Sequence, residues 1–319
     1  MKLRVRGRSF ILTKSKKNSG QLTFGQDIKK HRGLYIMMLP YTVLFIFFTV
    51  LPVLAAILLG FTSYNMFSAP EFVGLKNYVD LFVSDTVFYT ALKNTLIFAV
   101  ITGPVSYFMC LFMAWLINEM PRGLRVILTL AFYAPSLCSS VFFIWQYIFS
   151  GDSYGIMNSV LIRLGIMSEP IQWLSNTKYM LAIVIIVQLW MSLGTSFLSL
   201  IAGFQGVDRT LYEAGEVDGI KNRWQEFTYI TLPMLKPQLI FSAIMQIVAA
   251  FSASGISQQL CGLPSTDYAA HTIALHIVDY GSIRYEMGYA CAISTVLFVL
   301  MLASKKLVDI CLARIPDTK

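Results

Sequence analysis

Six stretches of the 319-residue chain run for at least 18 residues without an Asp, Glu, Lys or Arg: 33–70, 94–118, 126–151, 179–207, 237–266 and 287–304. A charge at the bilayer centre costs about 2.5–3.5 kcal/mol on insertion scales, and a helix needs about 20 mainly apolar residues to cross. Each run therefore predicts one crossing. The last is the shortest, and Met287, Leu302 and their neighbours extend it at the interfaces. The first is long enough to suggest two helices, but no polar turn divides it, and Pro40 and Pro52 can be absorbed as kinks. The expectation is an all-α membrane protein with six transmembrane helices.

Composition agrees. The chain is 56% hydrophobic and 13% charged, against about 25% charged in soluble domains. Five cysteines (Cys110, Cys138, Cys261, Cys291, Cys311) are scattered without a CxxC and read as small buried hydrophobes rather than a disulfide or metal set. Three histidines are too few and too dispersed for zinc; His271 and His276, five apart, would fall on two faces of a helix. No metal site is expected.

The net charge of +8 is a topology signal. Six crossings put both termini on one side, and residues 1–32, 119–125, 208–236 and 305–319 together hold 20 of the 25 basic residues. The other side carries Lys76, Lys93, Arg163, Lys178 and Arg284, outnumbered by acids. Lys and Arg concentrate on the cytoplasmic side, so both termini are expected there and a nucleic-acid partner is not. The run after the basic N-terminus is too long for a secretory signal and lacks a cleavage pattern. The expected organisation is a basic cytoplasmic segment 1–32, a six-span domain 33–312 and a cytoplasmic tail 313–319.

Between the fourth and fifth runs lies "LYEAGEVDGIKNRWQEFTYITLPMLKP" (211–237). Thr210 and Glu213 form a capping-box pattern. Gly219 supplies a left-handed stop. Asn222 to Gln225 reads as a second helix start, and that helix must end or kink before Pro233. Ala214 and Gly215 give the first helix a small face that another backbone can approach. Its acids, Glu213, Glu216 and Asp218, do not suit a helix lying on anionic lipid, so a cytoplasmic protein partner is the favoured reading. The GxxxG at 215–219 lies outside the apolar runs and predicts no helix dimer.

"EAGEVDG" followed by "F…LP…P" resembles the cytoplasmic EAA loop (here 208–237) of the membrane subunits of binding-protein-dependent ABC importers. Glu213, Ala214, Asp218 and Gly219 match; Gly215 replaces the usual second Ala, and Ile220 stands where Ala is common. "FVGLKNYVDLF" (72–82), "NT" (94–95), "YAPS" (133–136), "GIMNSVL" (155–161), "QWL" (172–174) and "GYACAIS" (288–294) follow in the order of the maltose-type carbohydrate permeases. "GLP" (262–264) departs from that family's GGP, and the segment after it is atypical. The resemblance implies the ABC type I importer permease fold and a permease subunit importing a carbohydrate, of oligosaccharide class, by alternating access. It implies a second permease subunit, two ATPase subunits, an external or periplasmic solute-binding protein and a cell-membrane location. Glu213, Ala214, Gly215, Asp218 and Gly219 would couple to the ATPase. A non-sugar solute such as an osmolyte, or a receptor or scaffold role, remains the alternative.

The chain has no G-x-x-x-x-G-K-[ST] to hold nucleotide, no HExxH, no GxSxG and no catalytic carboxylate pair at membrane depth. It is expected to be a transport subunit rather than an enzyme, with no cofactor of its own; ATP and Mg belong to the partner ATPase. The lack of ionisable residues in the runs argues against ion coupling. In the fourth run Gln188, Ser192, Thr195, Ser196, Ser199 and Gly203 recur at helical spacing, with a weaker set in the fifth: Ser242, Gln246, Ser252, Ser254 and Ser257. Such a stripe either glues helices together or faces a water-filled path. The family places its substrate cavity between these spans, which makes Gln188, Ser192 and Gln246 candidates for the path. Trp190 and Phe251 could stack on a sugar or simply pack. Asp152, Trp173, Tyr280 and Arg284, in segments 152–178 and 262–286, are candidates for binding-protein docking.

Overall fold

The computed structural model describes residues 31–138 and 141–312; the N-terminal segment through residue 30 and the tail 313–319 lie outside it. Among the described residues the secondary structure is helical apart from one isolated antiparallel bridge, Thr62 to Phe72, with turns and irregular segments between the helices. The chain divides between Leu54 and Ala55 into two compact units.

The first span, α1, is continuous over Arg32–Leu59. Pro52 has no N–H to give, and its ring crowds the carbonyl four residues back. The helix answers with a π-turn at Ile46–Val50, which re-spaces those groups without breaking the rod. Within the first unit no described residue is buried. A helix apolar on every side belongs in lipid or against other membrane helices.

The second unit contains α2 (Lys76–Val83), α3 (Thr86–Asn118), α4 (Arg122–Leu137), α5 (Phe142–Ile148) and α6 (Ile156–Arg163). After these come α7 (Met180–Gly206), α8 (Arg209–Val217), α9 (Arg223–Glu226), α10 (Lys236–Cys261), α11 (Ile273–Ile283) and α12 (Met287–Leu312). The second span, α3, is the hub, contributing to all three hydrophobic clusters. Phe88 and Ala91 pack with Ile273 and Ile293, Phe98 with Val184 and Ile256, and Cys110 and Ala114 with Phe197 and Leu239. Its buried hydroxyls are satisfied locally: Thr95 and Thr102 donate to the carbonyls of Ala91 and Phe98, as polar groups in hydrocarbon must.

Three spans depart from simple rods. In the third apolar run α4 and α5 diverge by 86°, which makes it a broken span or a re-entrant loop. Pro135 lies inside the last turns of α4, and Cys138 leaves the helix in extended conformation (φ −99°, ψ 106°). The fourth breaks at Ser192–Gly194, where the Gly194 amide donates to the Ser192 carbonyl at 2.8 Å. The fifth breaks at Ser252–Ser254 in the same way, with Ala253 at φ −75°, ψ 47°, an inverse γ-turn. Of the cysteines expected to be buried, Cys110 is; Cys138 and Cys311 are exposed, and Cys261 and Cys291 lie between. Polarity alone does not force a cysteine inward when the helix face it occupies points out of the bundle.

Candidate functional site: the helical loop after the fourth span and the polar seam of the bundle

The loop begins with a cap, though not the expected one. Asp208, not Thr210, is the N-cap of α8: its carboxylate accepts from the Thr210 amide at 3.0 Å. The helix thus starts at Arg209, and Glu213 lies on its exposed face instead of closing a capping box. An aspartate also complements the positive end of the helix dipole. The far end follows expectation. Gly219 has φ +94°, the Ile220 amide donates to the Gly215 carbonyl at 2.9 Å, and the Gly219 amide to that of Glu216 at 3.2 Å. This is a Schellman closure, which requires a left-handed residue at position 219.

The two departures from the usual EAA pattern meet in space. A Cβ added at Gly215 would lie 2.7 Å from Ile230 Cδ1 and 3.0 Å from Ile220 Cδ1. The larger residue at 220 occupies the room that the smaller one at 215 leaves. Gly215 is buried, whereas Glu213, Ala214, Asp218 and Gly219 are exposed, as is Val217 at 88%.

Asn222 starts the second helix as read, accepting from the Gln225 amide at 2.8 Å, while Gln225 accepts from the Lys221 amide. The chain does not stop before Pro233. It widens into a π-turn at Phe227–Thr231 and passes on, the device used ahead of Pro52. The loop is closed on itself by Tyr212, hydrogen-bonded to Thr231 at 2.8 Å, and by Phe227 against Trp224, with ring centroids 5.7 Å apart; it is tied to the second span by Phe227, whose ring lies 5.1 Å from Trp115. Arg223 pairs with Glu226 at 2.8 Å and approaches Glu119 at 3.9 Å. The Glu226 hydrogen bond and then the Glu119 charge hold the guanidinium above its ordinary pKa, but exposed pairs of this kind add little stability. A cleft of about 870 Å³ separates the loop from the ends of the second and third spans, with Trp115, Arg122 and Arg125 on one wall and Tyr212, Glu213 and Glu216 on the other.

At the span-four break, the Gln246 amide donates to the Ser192 carbonyl and to Cys110 Sγ, each at 3.3 Å, and Ser196 donates to the Ser242 carbonyl. Gln246 and Ser192 thus join at one junction of spans two, four and five; Gln188, 8% exposed, lies one turn away on the fourth. Thr195 faces outward and Ser199 is half-buried. Trp190 packs edge-on against Trp145, with centroids 5.4 Å apart, and Phe251 is buried in the bundle.

The motif asparagines staple loops to spans. Asn77 donates to the carbonyls of Gly60 and Thr62, and Asn158 to those of Ser150, Asp152 and Ile171 while accepting from Trp173 Nε1 at 2.7 Å. Asn94 donates to Tyr268, Ala269 and His271, and Thr95 accepts from the Ile273 amide at 2.8 Å. Among the docking candidates, Asp152 accepts from the Tyr154 and Gly155 amides, and Arg284 pairs with Asp279 at 2.7 Å while covering the Tyr280 ring.

The histidines correct the sequence reading. Helix α11 starts at Ile273, capped by Thr272, so His271 precedes it and swings back. Its Nε2 lies 3.0 Å from His276 Nδ1, and His276 Nε2 lies 2.9 Å from Asp85, the N-cap of the second span. Tyr289, on the last span, donates to the same carboxylate at 2.9 Å.

Five helices long and apolar enough to cross a membrane, or six if α4 and α5 make one bent span, with interrupted helices meeting at a polar junction and a capped helical loop after the fourth apolar run, are the build of a membrane permease. The chain belongs to the binding-protein-dependent transport system inner membrane components, whose family model matches residues 111–314. It is 32% identical over 273 residues to the probable ABC transporter permease protein YesP of Bacillus subtilis, covering 84% of this chain and 86% of that one. It is 30% identical over 274 residues to the trehalose/maltose transport system permease protein MalF of Thermococcus litoralis (84% and 90%). Among solved structures, a chain of a bacterial alginate ABC transporter, in complex with a periplasmic protein carrying an alginate pentasaccharide, superposes with a TM-score of 0.71. Identity there is 24%, over 89% of this chain and 95% of that one. The fold is therefore that of an ABC type I importer permease, a multi-pass inner-membrane protein, and the subunit is a transport component rather than an enzyme.

Proposed function

We propose that this chain is a permease subunit that imports a carbohydrate of oligosaccharide class, driven by a separate ATPase that grips α8. The observation that carries the coupling role is the loop itself: a helix capped by Asp208, closed by Gly219, and presenting Glu213, Ala214, Val217 and Asp218 outward. The charge asymmetry supports a cytoplasmic position for this loop and both termini, with segments 152–178 and 262–286 outside. ATP and Mg act on the partner. Closure of an ATPase pair draws α8 with it; the Tyr212–Thr231 contact carries that movement to the turn that leads into the fifth span, and the Trp115–Phe227 contact carries it to the second span. Two permease subunits then rock about a path near the interrupted helices, where Gln188, Ser192 and Gln246 lie; broken spans are the usual place for a substrate site. A solute-binding protein delivers the sugar from outside. Sugar specificity is supported by relatives named for arabinooligosaccharide, lactose and trehalose/maltose transport.

The test is reconstitution. The chain should co-purify with an ATPase and a second six-span permease, and proteoliposomes should take up labelled oligosaccharide only with ATP inside and loaded binding protein outside. Purification without an ATPase would overturn the reading; a binding protein that selects an osmolyte would move only the substrate class.

A further inference from the structure

Segment 262–286 is held by a line of ionisable groups that the transport mechanism does not use. Asp85, with 8% of its side chain exposed, His276 at 1% and His271 at 0% form a continuous hydrogen-bonded row from the foot of the second span through α11 to the loop before it. Asp85 belongs to a stretch 191 residues away from His276 in sequence.

The row sets its own protonation. Burial works to raise the Asp85 carboxyl, but the Phe88 amide, His276 and the Tyr289 hydroxyl outweigh it, and the group lies below its ordinary range. As a carboxylate it accepts from His276 Nε2–H. Across the 3.0 Å that separates His271 Nε2 from His276 Nδ1, one ring donates and the other accepts. His271 Nδ1 is left bare, buried and without a hydrogen-bond partner. The weak point of the row is this buried, unpartnered nitrogen of His271. A proton added to His271 Nδ1 finds no acceptor.

The other groups facing the pair do not rescue it. From the segment come Tyr268 and Tyr280, edge-on to His271 and His276, and Asp279, already paired with Arg284. From the last span come Tyr289, committed to Asp85, and Glu286 at its foot; from α2, Asp80 stands beyond Tyr289. Burial first, and neighbouring His276 second, push His271 down to about 4, against the weaker pull of Asp279 and Asp85.

We propose that the Asp85–His276–His271 row is an acid-sensitive latch that holds segment 262–286 on the outer ends of the second and sixth spans. Acid outside the cell then loosens the surface on which the binding protein docks. The docking half rests on the import reading above; the latch itself does not. The sign follows from linkage: a histidine held down in the folded state contributes its full stability above its free value and loses it as pH falls. Here the loss runs from about 6.5 to about 4. At pH 5 the open-to-closed ratio of the segment rises about 20-fold over pH 7.

Hydrogen exchange across 265–283 tests the latch on the intact importer in lipid nanodiscs, corrected for the intrinsic pH dependence of amide exchange. Wild type should lose protection by about 30-fold between pH 7.5 and 5. His271→Gln keeps a donor toward His276 and cannot take the proton, so its protection should stay level. Equal protection of the wild type at both pH values overturns the latch even if the variant fails to assemble, and so does a variant that loosens as the wild type does. In proteoliposomes with interior pH fixed, uptake should fall with external pH more steeply for wild type than for His271→Gln. Parallel falls would remove the docking consequence while leaving the exchange result to judge the latch.

Discussion

The segments 208–236 and 262–286 are both charged connections between apolar spans, yet they are built in opposite ways. In the first, helix α8 buries only Gly215 and is shaped by its own caps. The second buries Ala270, His271, Ile273 and Leu275 completely and is held by side chains reaching from spans two and six. The first is a handle that keeps its shape while presenting its surface. The second is a plate fastened to the bundle. Local capping suffices for a helix that stands clear of the bundle; long-range stapling holds a loop that lies across the ends of two spans.

The contrast predicts where single changes will hurt. The largest structural effect is expected at Asn94, whose amide serves three carbonyls of the plate. Asn94→Ala strands them and should cost about 2–4 kcal/mol, read as lost exchange protection at 268–273 with α8 unchanged. Next is Gly219→Val. A β-branched residue at φ +94° should cost about 1–3 kcal/mol locally; the protein should still insert, while coupled uptake falls at least about tenfold. Substrate-stimulated ATPase at the wild-type level would remove Gly219 from the coupling role.

Gly215→Ala comes third, at about 1–2 kcal/mol from overpacking. Ile220→Ala in the same chain should recover most of it, because the Ile220 side chain occupies the space in question. A double variant no better than the single would show that Ile230 alone sets the limit. The smallest effect separates two caps: Asp208→Ala should cost about 1 kcal/mol of helix stability and Thr210→Ala close to nothing, checked by thermal melts of the purified importer. The reverse order would restore the capping box that the structure replaces.

Much of the fold was legible in the sequence because the bilayer charges heavily for every ionised group, so charge-free runs mark the spans. The Gly219 stop was legible because only a few residues tolerate its backbone geometry. Asp208 was missed as a cap because it stands at the edge of an apolar run and looks like its terminus. The bend of the third span depends on how Pro135 and its surroundings pack, which periodicity does not carry. The histidine row was misread because helix α11 was assumed to include His271, and because its third member, Asp85, lies 191 residues from His276. A single sequence holds no record of such a pairing. The asparagines at 77, 94 and 158 were visible as motif residues, but only the folded chain brings them to the carbonyls they staple.

The central claim is that α8 is the point where an ATPase holds this permease. Val217, 88% exposed at the end of that helix, is the place to measure it. With the importer assembled and the native exposed cysteines replaced, Val217→Cys should cross-link to a single engineered cysteine series on the ATPase face, with a yield that changes when ATP is added. A cysteine at Tyr154, 85% exposed in segment 152–178, should not. No cross-link from position 217 in an importer that still transports would contradict the account.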